Sequence, residues 1–151
     1  MRLLAIGRAK SSPESEILAR YAKRIKPTLD LQEFEDGHGA PIEIKRREAT
    51  SLLSAIEKSD FVIALDIDGP PLDSLGLAKA LQKWTETARR LTFVIGGAEG
   101  LDAIIITRAD AKLSLGPLTW PHMLVRPMLA EQIYRAQMIT QGHPYHRAGR
   151  P

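Results

Sequence analysis

Two periods of apolar residues alternate along the chain. Residues 2 to 8 (Arg2-Leu3-Leu4-Ala5-Ile6-Gly7-Arg8) read as a short strand, and Ser12-Pro13 then places a capping hydroxyl and a first-turn proline at a helix start. In that helix Ile17, Tyr21 and Ile25 lie one turn apart and, with Leu18 and Ala22, form the stripe to be buried. Residues 29 to 35 alternate at Leu29, Leu31 and, after a slip, Phe34, as an edge or half-buried strand does. The loop Asp36-Gly37-His38-Gly39-Ala40-Pro41 follows, and Ala49, Leu52, Leu53 and Ile56 restore helical spacing over about residues 43 to 58. Phe61-Val62-Ile63-Ala64-Leu65-Asp66 is an unbroken apolar run ending in an acid, the form of a central parallel strand covered on both faces.

Asp68-Gly69-Pro70-Pro71 closes that strand, and Asp73 or Ser74 caps a helix to about residue 88 along Leu77, Leu81, Trp84 and Ala88. The strand Phe93-Val94-Ile95 then runs straight into Gly96-Gly97-Ala98-Glu99-Gly100. A short segment near residues 102 to 108, a strand over 111 to 115 and a helix over about 121 to 140 follow. That helix is apolar around much of its circumference (Met123, Leu124, Val125, Met128, Leu129, Ala130, Ile133, Tyr134, Met138, Ile139), which predicts a place between the sheet and a second cover, such as another copy of the chain. Alternating strands and helices predict an α/β domain with a mainly parallel sheet flanked by helices. Ligands of such sheets bind beyond the carboxyl ends of the strands, where three loops stand out: after Leu65-Asp66, after Ile95 and at Gly116-Pro117. Three glycines in five positions call for positive φ or for a ligand or second loop in close approach, and a plain tight turn also meets that need.

Composition bounds the rest. A length of 151 residues, 44% hydrophobic and 26% charged, suits a single domain, residues 1–151, burying about two-thirds of its unfolded surface. No apolar run approaches the roughly 20 residues of a membrane span, and the first residues are too short an apolar stretch for a signal peptide, so a soluble intracellular protein with no membrane association is expected. Zero cysteines exclude disulfides, thiolate nucleophiles and cysteine-based metal sites. A net charge of +3 permits a polyanionic partner without demanding one. Arg20, Lys23, Arg24 and Lys26 form one basic group and Lys45-Arg46-Arg47 another, and a solvated helix face is the plainer reading of either taken alone.

Common motifs do not fit. The glycines read G-G-x-x-G in the second half of the chain, not G-x-G-x-x-G after the first strand, and neither a phosphate-binding G-x-x-x-x-G-K-[ST] nor a G-x-S-x-G is present. His143-x-x-His146 has a metal-like spacing but no third ligand nearby, so no metal is expected.

Read together, the pieces of the second half do fit one pattern. Ile95-Gly96-Gly97-x-x-Gly100 is followed by Leu113-Ser114, Thr119-x-Pro121-His122 with Arg126, Glu131-Gln132-x-Tyr134-Arg135-Ala136, and His143-Pro144-Tyr145-His146-Arg147. In this order they resemble the SPOUT class of methyltransferases and, more narrowly, are similar to the ribosomal large subunit methyltransferase H family. Ala5-Ile6-Gly7, Tyr21-x-x-Arg24 and Leu65-Asp66 extend the likeness over nearly the whole chain. Pro70, Ala49 after Glu48, Trp120 and the extension over residues 148 to 151 depart from the family pattern.

The resemblance implies a SPOUT α/β-knot with a C-terminal trefoil knot, a homodimer, and S-adenosyl-L-methionine (S-adenosylmethionine) as methyl donor. It implies methylation of N3 of a pseudouridine in 23S rRNA within the ribosome, in the cytoplasm. Another tRNA or rRNA methyltransferase of the class and a non-enzymatic ribosome assembly factor are the alternatives. By the same resemblance the three loops form the cofactor site, through Leu65, Gly96, Gly97, Leu115, Gly116, Pro117, Leu118, Thr119 and Trp120. The tail supplies the catalytic candidates: His146 to take the N3 proton, Arg147 to steady developing charge or hold a phosphate, and Tyr145 to stack on an unpaired base. A frayed basic tail is what those residues suggest by themselves. Arg20, Lys23, Arg24, Arg126 and Arg135 are candidates for the RNA backbone, and Arg135 is also placed to pair with Glu131.

Overall fold

The computed structural model describes residues 1–147, so the extension over residues 148 to 151 lies outside the described residues. Five parallel strands form one sheet in the order β2-β1-β4-β3-β5, where β1 is Arg2–Ile6, β2 Asp30–Phe34, β3 Asp60–Leu65, β4 Arg90–Ile95 and β5 Ala111–Leu113. The α/β expectation is met. The middle position belongs to β4, whose Leu91 to Ile95 are all buried, while the 61 to 65 run forms β3 beside it. β2 is the exposed edge that its alternating pattern predicts.

Helices cover both faces. On one, α1 (Pro13–Arg24), α3 (Ser74–Thr87) and α5 (His122–Thr140) pack with Leu3, Ile63, Phe93 and Ile95; on the other, α2 (Pro41–Ala55) and α4 (Ala103–Arg108) cover Leu4, Ile6, Val62 and Val94. The start of α1 is fixed by reciprocal bonds between Ser12 and Ser15, with Pro13 in the first turn. Asp73 and Asp102 cap α3 and α4 by accepting from the N–H groups of Gly76 and Ile104.

The apolar circumference of α5 has a local explanation. It packs between α1 and α3 while its inner side, with Leu129, Ala130 and Ile133, lies in the core. Two sister helices of the same chain thus cover much of it, while Leu124 stays exposed. At the amino end of the sheet the buried Asp60 carboxylate pairs with Arg90 at 2.7 Å and Arg2 at 3.8 Å, and bonds to Glu57 and Asp60 raise the Arg90 pKa. Those cations are committed to structure, at the end opposite the carboxyl ends of the strands.

Among the described residues, no helix is long and apolar enough to cross a membrane, and no three metal-ligating side chains gather into a group.

Candidate active site

The carboxyl ends of β3, β4 and β5 open into one cavity of about 520 Å³. Its first wall follows β3. Asp66 accepts the Asp68 N–H on its side chain at 2.8 Å and the Gly69 N–H on its carbonyl at 3.0 Å, a tight turn that presents Leu65, Asp66, Ile67 and Asp68. Gly69 touches the Leu113 backbone, and Pro70 accepts the Ser114 N–H at 3.3 Å, so this wall is tied to the third. Proline at residue 70 is compatible with that tie, which uses only its carbonyl.

The second wall is the glycine turn. Gly100 closes it by donating to the Gly97 carbonyl at 3.1 Å, with φ of +76°. A β-carbon on Gly96 would lie 2.8 Å from the Gly100 carbonyl carbon, so the backbone itself leaves no room for a side chain there. Gly97, Ala98, Glu99, Gly100 and Leu101 face the cavity, while Gly96 supports them from behind.

The third wall follows β5. Ser114 bonds to both the N–H and the carbonyl of Gly116, whose φ is +102°, and this turn sends Leu115, Gly116, Leu118, Thr119 and Trp120 around the opening. Pro117 lies outside the lining. Trp120 adds a large, partly exposed ring to this wall. Of the nine cofactor-site residues expected, seven line one cavity. Asp66, Ile67, Asp68, Glu99 and Val125 join them unpredicted, as does Lys45 from α2. The acid ending the 61 to 66 run marks Asp66, whereas Lys45 stands out only as part of the basic group 45 to 47, with nothing to place it at this cavity.

The tail is built separately. Gly142, at φ +65°, ends α5 with its N–H on the Ile139 carbonyl and the His143 N–H on the Met138 carbonyl, which turns the chain back along the helix. The Tyr145 hydroxyl donates to Glu131 Oε1 at 3.0 Å and is 3.1 Å from the Tyr21 hydroxyl, which is left to donate to it. Burial, then these two bonds, push the Tyr145 pKa up, so the phenol stays protonated at neutral pH. Its ring meets Tyr134 edge-on at 4.9 Å and lies under the Arg135 guanidinium at 5.1 Å. Tyr145 thus anchors the tail, half-buried against α5 and α1. His146 is half-buried with an unpartnered, buried Nδ1, and Arg147 is exposed. His143 Nδ1 accepts the Tyr145 N–H at 3.1 Å. None of residues 143 to 147 lines the cavity.

The basic candidates divide. Arg20, Lys23 and Arg24 are exposed on α1, the helix that meets the tail through Tyr21, and Arg24 also covers the Tyr134 ring at 4.5 Å. Arg135 is paired with Glu131 at 2.5 Å, and that bond raises its pKa. Arg126 is only 1% exposed; its guanidinium donates to Glu33 at 2.6 Å and to the Ile6 and Gly7 carbonyls at 2.5 and 2.8 Å. A phosphate cannot reach it, so Arg126 clamps β1 and β2 to α5 instead of contacting RNA.

Comparison with known proteins accounts for this arrangement. A family model described as "Predicted SPOUT methyltransferase" matches residues 1–146. The chain is 56% identical over 151 residues to a ribosomal RNA large subunit methyltransferase H from Gluconacetobacter diazotrophicus, covering 100% of this chain and 99% of that protein. A protein of the same description from Acidiphilium cryptum is also 56% identical, over 100% of this chain and 96% of its own length, and one from Rhodospirillum centenum is 47% identical over 97% of each. With three carboxyl-end loops around one cavity and this likeness over its full length, the chain belongs to the SPOUT methyltransferases, in the ribosomal RNA large subunit methyltransferase H family.

Proposed function

We propose that this chain methylates N3 of a pseudouridine in 23S rRNA of the large ribosomal subunit, with S-adenosylmethionine as donor. The observation that carries the cofactor assignment is the convergence of the three loops on one cavity of about 520 Å³. That size is within the range of about 300–1,000 Å³ usual for small-molecule sites. Leu65, Leu115, Leu118, Trp120 and Val125 offer an apolar slot for an adenine, and the glycine turn lines it from Gly97 to Leu101. Asp66, Asp68 and Glu99 offer carboxylates to a cationic, hydroxyl-bearing ligand. Bound there, S-adenosylmethionine supplies a methyl group on a sulfonium sulfur.

Alignment of donor and acceptor is worth about 7–11 kcal/mol in such a displacement, against a factor of about 10²–10⁴ from a general base. Positioning is therefore the larger part of the task. His146 is the side chain we assign to the N3 proton and Arg147 to the charge or phosphate beside it, with Tyr145 holding both on α5 through Glu131. Because the tail docks away from the cavity of its own chain, we take the acceptor site to be shared by two copies, the tail of one facing the cavity of the other in a homodimer. Arg20, Lys23 and Arg24 adjoin the tail and suit a stem-loop backbone read by shape.

Ribosomes from a strain lacking the protein, incubated with it and labelled S-adenosylmethionine in the cytoplasm-like ionic conditions of an extract, should gain one methyl group. Mass spectrometry should place it on N3 of a pseudouridine. Label elsewhere would move the substrate, and absence of both label and calorimetric cofactor binding would leave a binding role alone. Gly96→Ala should weaken S-adenosylmethionine binding about tenfold or more, since the turn must open around the new β-carbon. An unchanged affinity would place the cofactor away from this turn.

A further inference from the structure

Behind the glycine turn lies a carboxylate that the chemistry above does not use. Glu48, on α2, is only 4% exposed. Its Oε1 accepts the Gly37 N–H at 3.0 Å, and its Oε2 is buried with no partner. An ionised carboxylate has about four acceptor positions, and a single N–H leaves most of them unmet, so burial here is costly unless something else answers the charge. The carboxylate faces Gly97: a β-carbon added to Gly97 would lie 2.8 and 3.0 Å from Oε1 and Oε2. Only backbone therefore separates Glu48 from the cavity that Gly97 lines. Among the described residues Glu48 forms no ion pair, and Lys45, nearly one turn earlier on α2, points its contacts to the cavity instead. Glu99 and Asp68 on the rim are exposed to water, which weakens their fields; Glu48 is not screened in that way.

We infer that Glu48 is a specificity-determining residue, whose buried charge makes the cavity prefer a cationic ligand by acting across the Gly97 backbone. The inference rests on the cofactor assignment above. S-adenosylmethionine carries a positive sulfonium, and its demethylated product S-adenosylhomocysteine has a neutral sulfur with the adenosine and amino-acid parts unchanged. Glu48 then holds the donor and favours release of the product, and the ratio of the two affinities isolates the charge.

Calorimetric titration of the wild-type protein and of Glu48→Gln with each compound tests this. Glutamine keeps the volume and an oxygen for the Gly37 N–H but removes the charge. S-adenosylhomocysteine should bind both proteins within about twofold, whereas S-adenosylmethionine should bind the variant about tenfold more weakly. Equal losses for both compounds, or no loss, would overturn the inference, because Glu48 would then only tie the loop at Gly37 to the glycine turn. If the wild-type protein binds neither compound, the cofactor assignment itself falls and the inference with it. Should Glu48→Gln fail to fold, the triple variant Asp66→Asn, Asp68→Asn, Glu99→Gln decides: a preference for S-adenosylmethionine that survives supports Glu48, and one that disappears assigns it to the lining acids and overturns the proposal.

Discussion

A chain ended after Gly142 is expected to lose methylation of ribosomes by more than about 10³-fold while binding S-adenosylmethionine as the full chain does. The two effects separate because no residue of the tail lines the cavity. The fold should tolerate the loss. Glu131 keeps Arg135 as a partner at 2.5 Å when Tyr145 is gone, and the turn that closes α5 uses main-chain groups of which only the His143 N–H is removed. Label transfer to ribosomes and calorimetry on the same preparation make the comparison. Loss of cofactor binding along with activity would make the tail a structural element.

Arg126→Met is expected to destabilise the protein by about 3–5 kcal/mol, the usual consequence of removing one partner from a buried ion pair. Burial is the largest influence on this guanidinium and lowers its pKa, with Glu33 and Asp36 opposing. Methionine refills the space but leaves Glu33 without its cation and the Ile6 and Gly7 carbonyls without donors. For a domain of this size the melting temperature should fall by about 10 °C. Arg126→Lys should rescue little, since one ammonium cannot reproduce a planar fork reaching three acceptors. A shift under about 2 °C for methionine would mean that the clamp is dispensable.

The contrast between Arg126 and the glycine turn shows what the sequence makes legible. The turn announced itself because glycine has few reasons to cluster, and its close approach to Gly100 is the reason found. The sheet was equally readable, since each strand is a continuous or alternating apolar run. Arg126 looked like any other cation near a motif. Its burial depends on where β1 and β2 end, more than 90 residues away in sequence for Glu33. Lys45 and Glu48 escaped for the same reason, because α2 reaches the cavity only through its tertiary placement. For Tyr145 the pattern of the tail does not reveal that Tyr134, Tyr21 and Glu131 receive it. The pairing of Arg135 with Glu131, by contrast, needs only helical spacing, and it is present.

The placement of α5 between α1 and α3 also bears on how the chain is made. Among the described residues it is the last helix to be synthesised, so until then the faces carrying Leu18, Leu77 and Leu81 wait without it. The third cavity wall emerges just ahead of it. During synthesis the chain therefore passes through a form in which that apolar surface is open, and covering it and completing the cavity wall fall within one short stretch of chain.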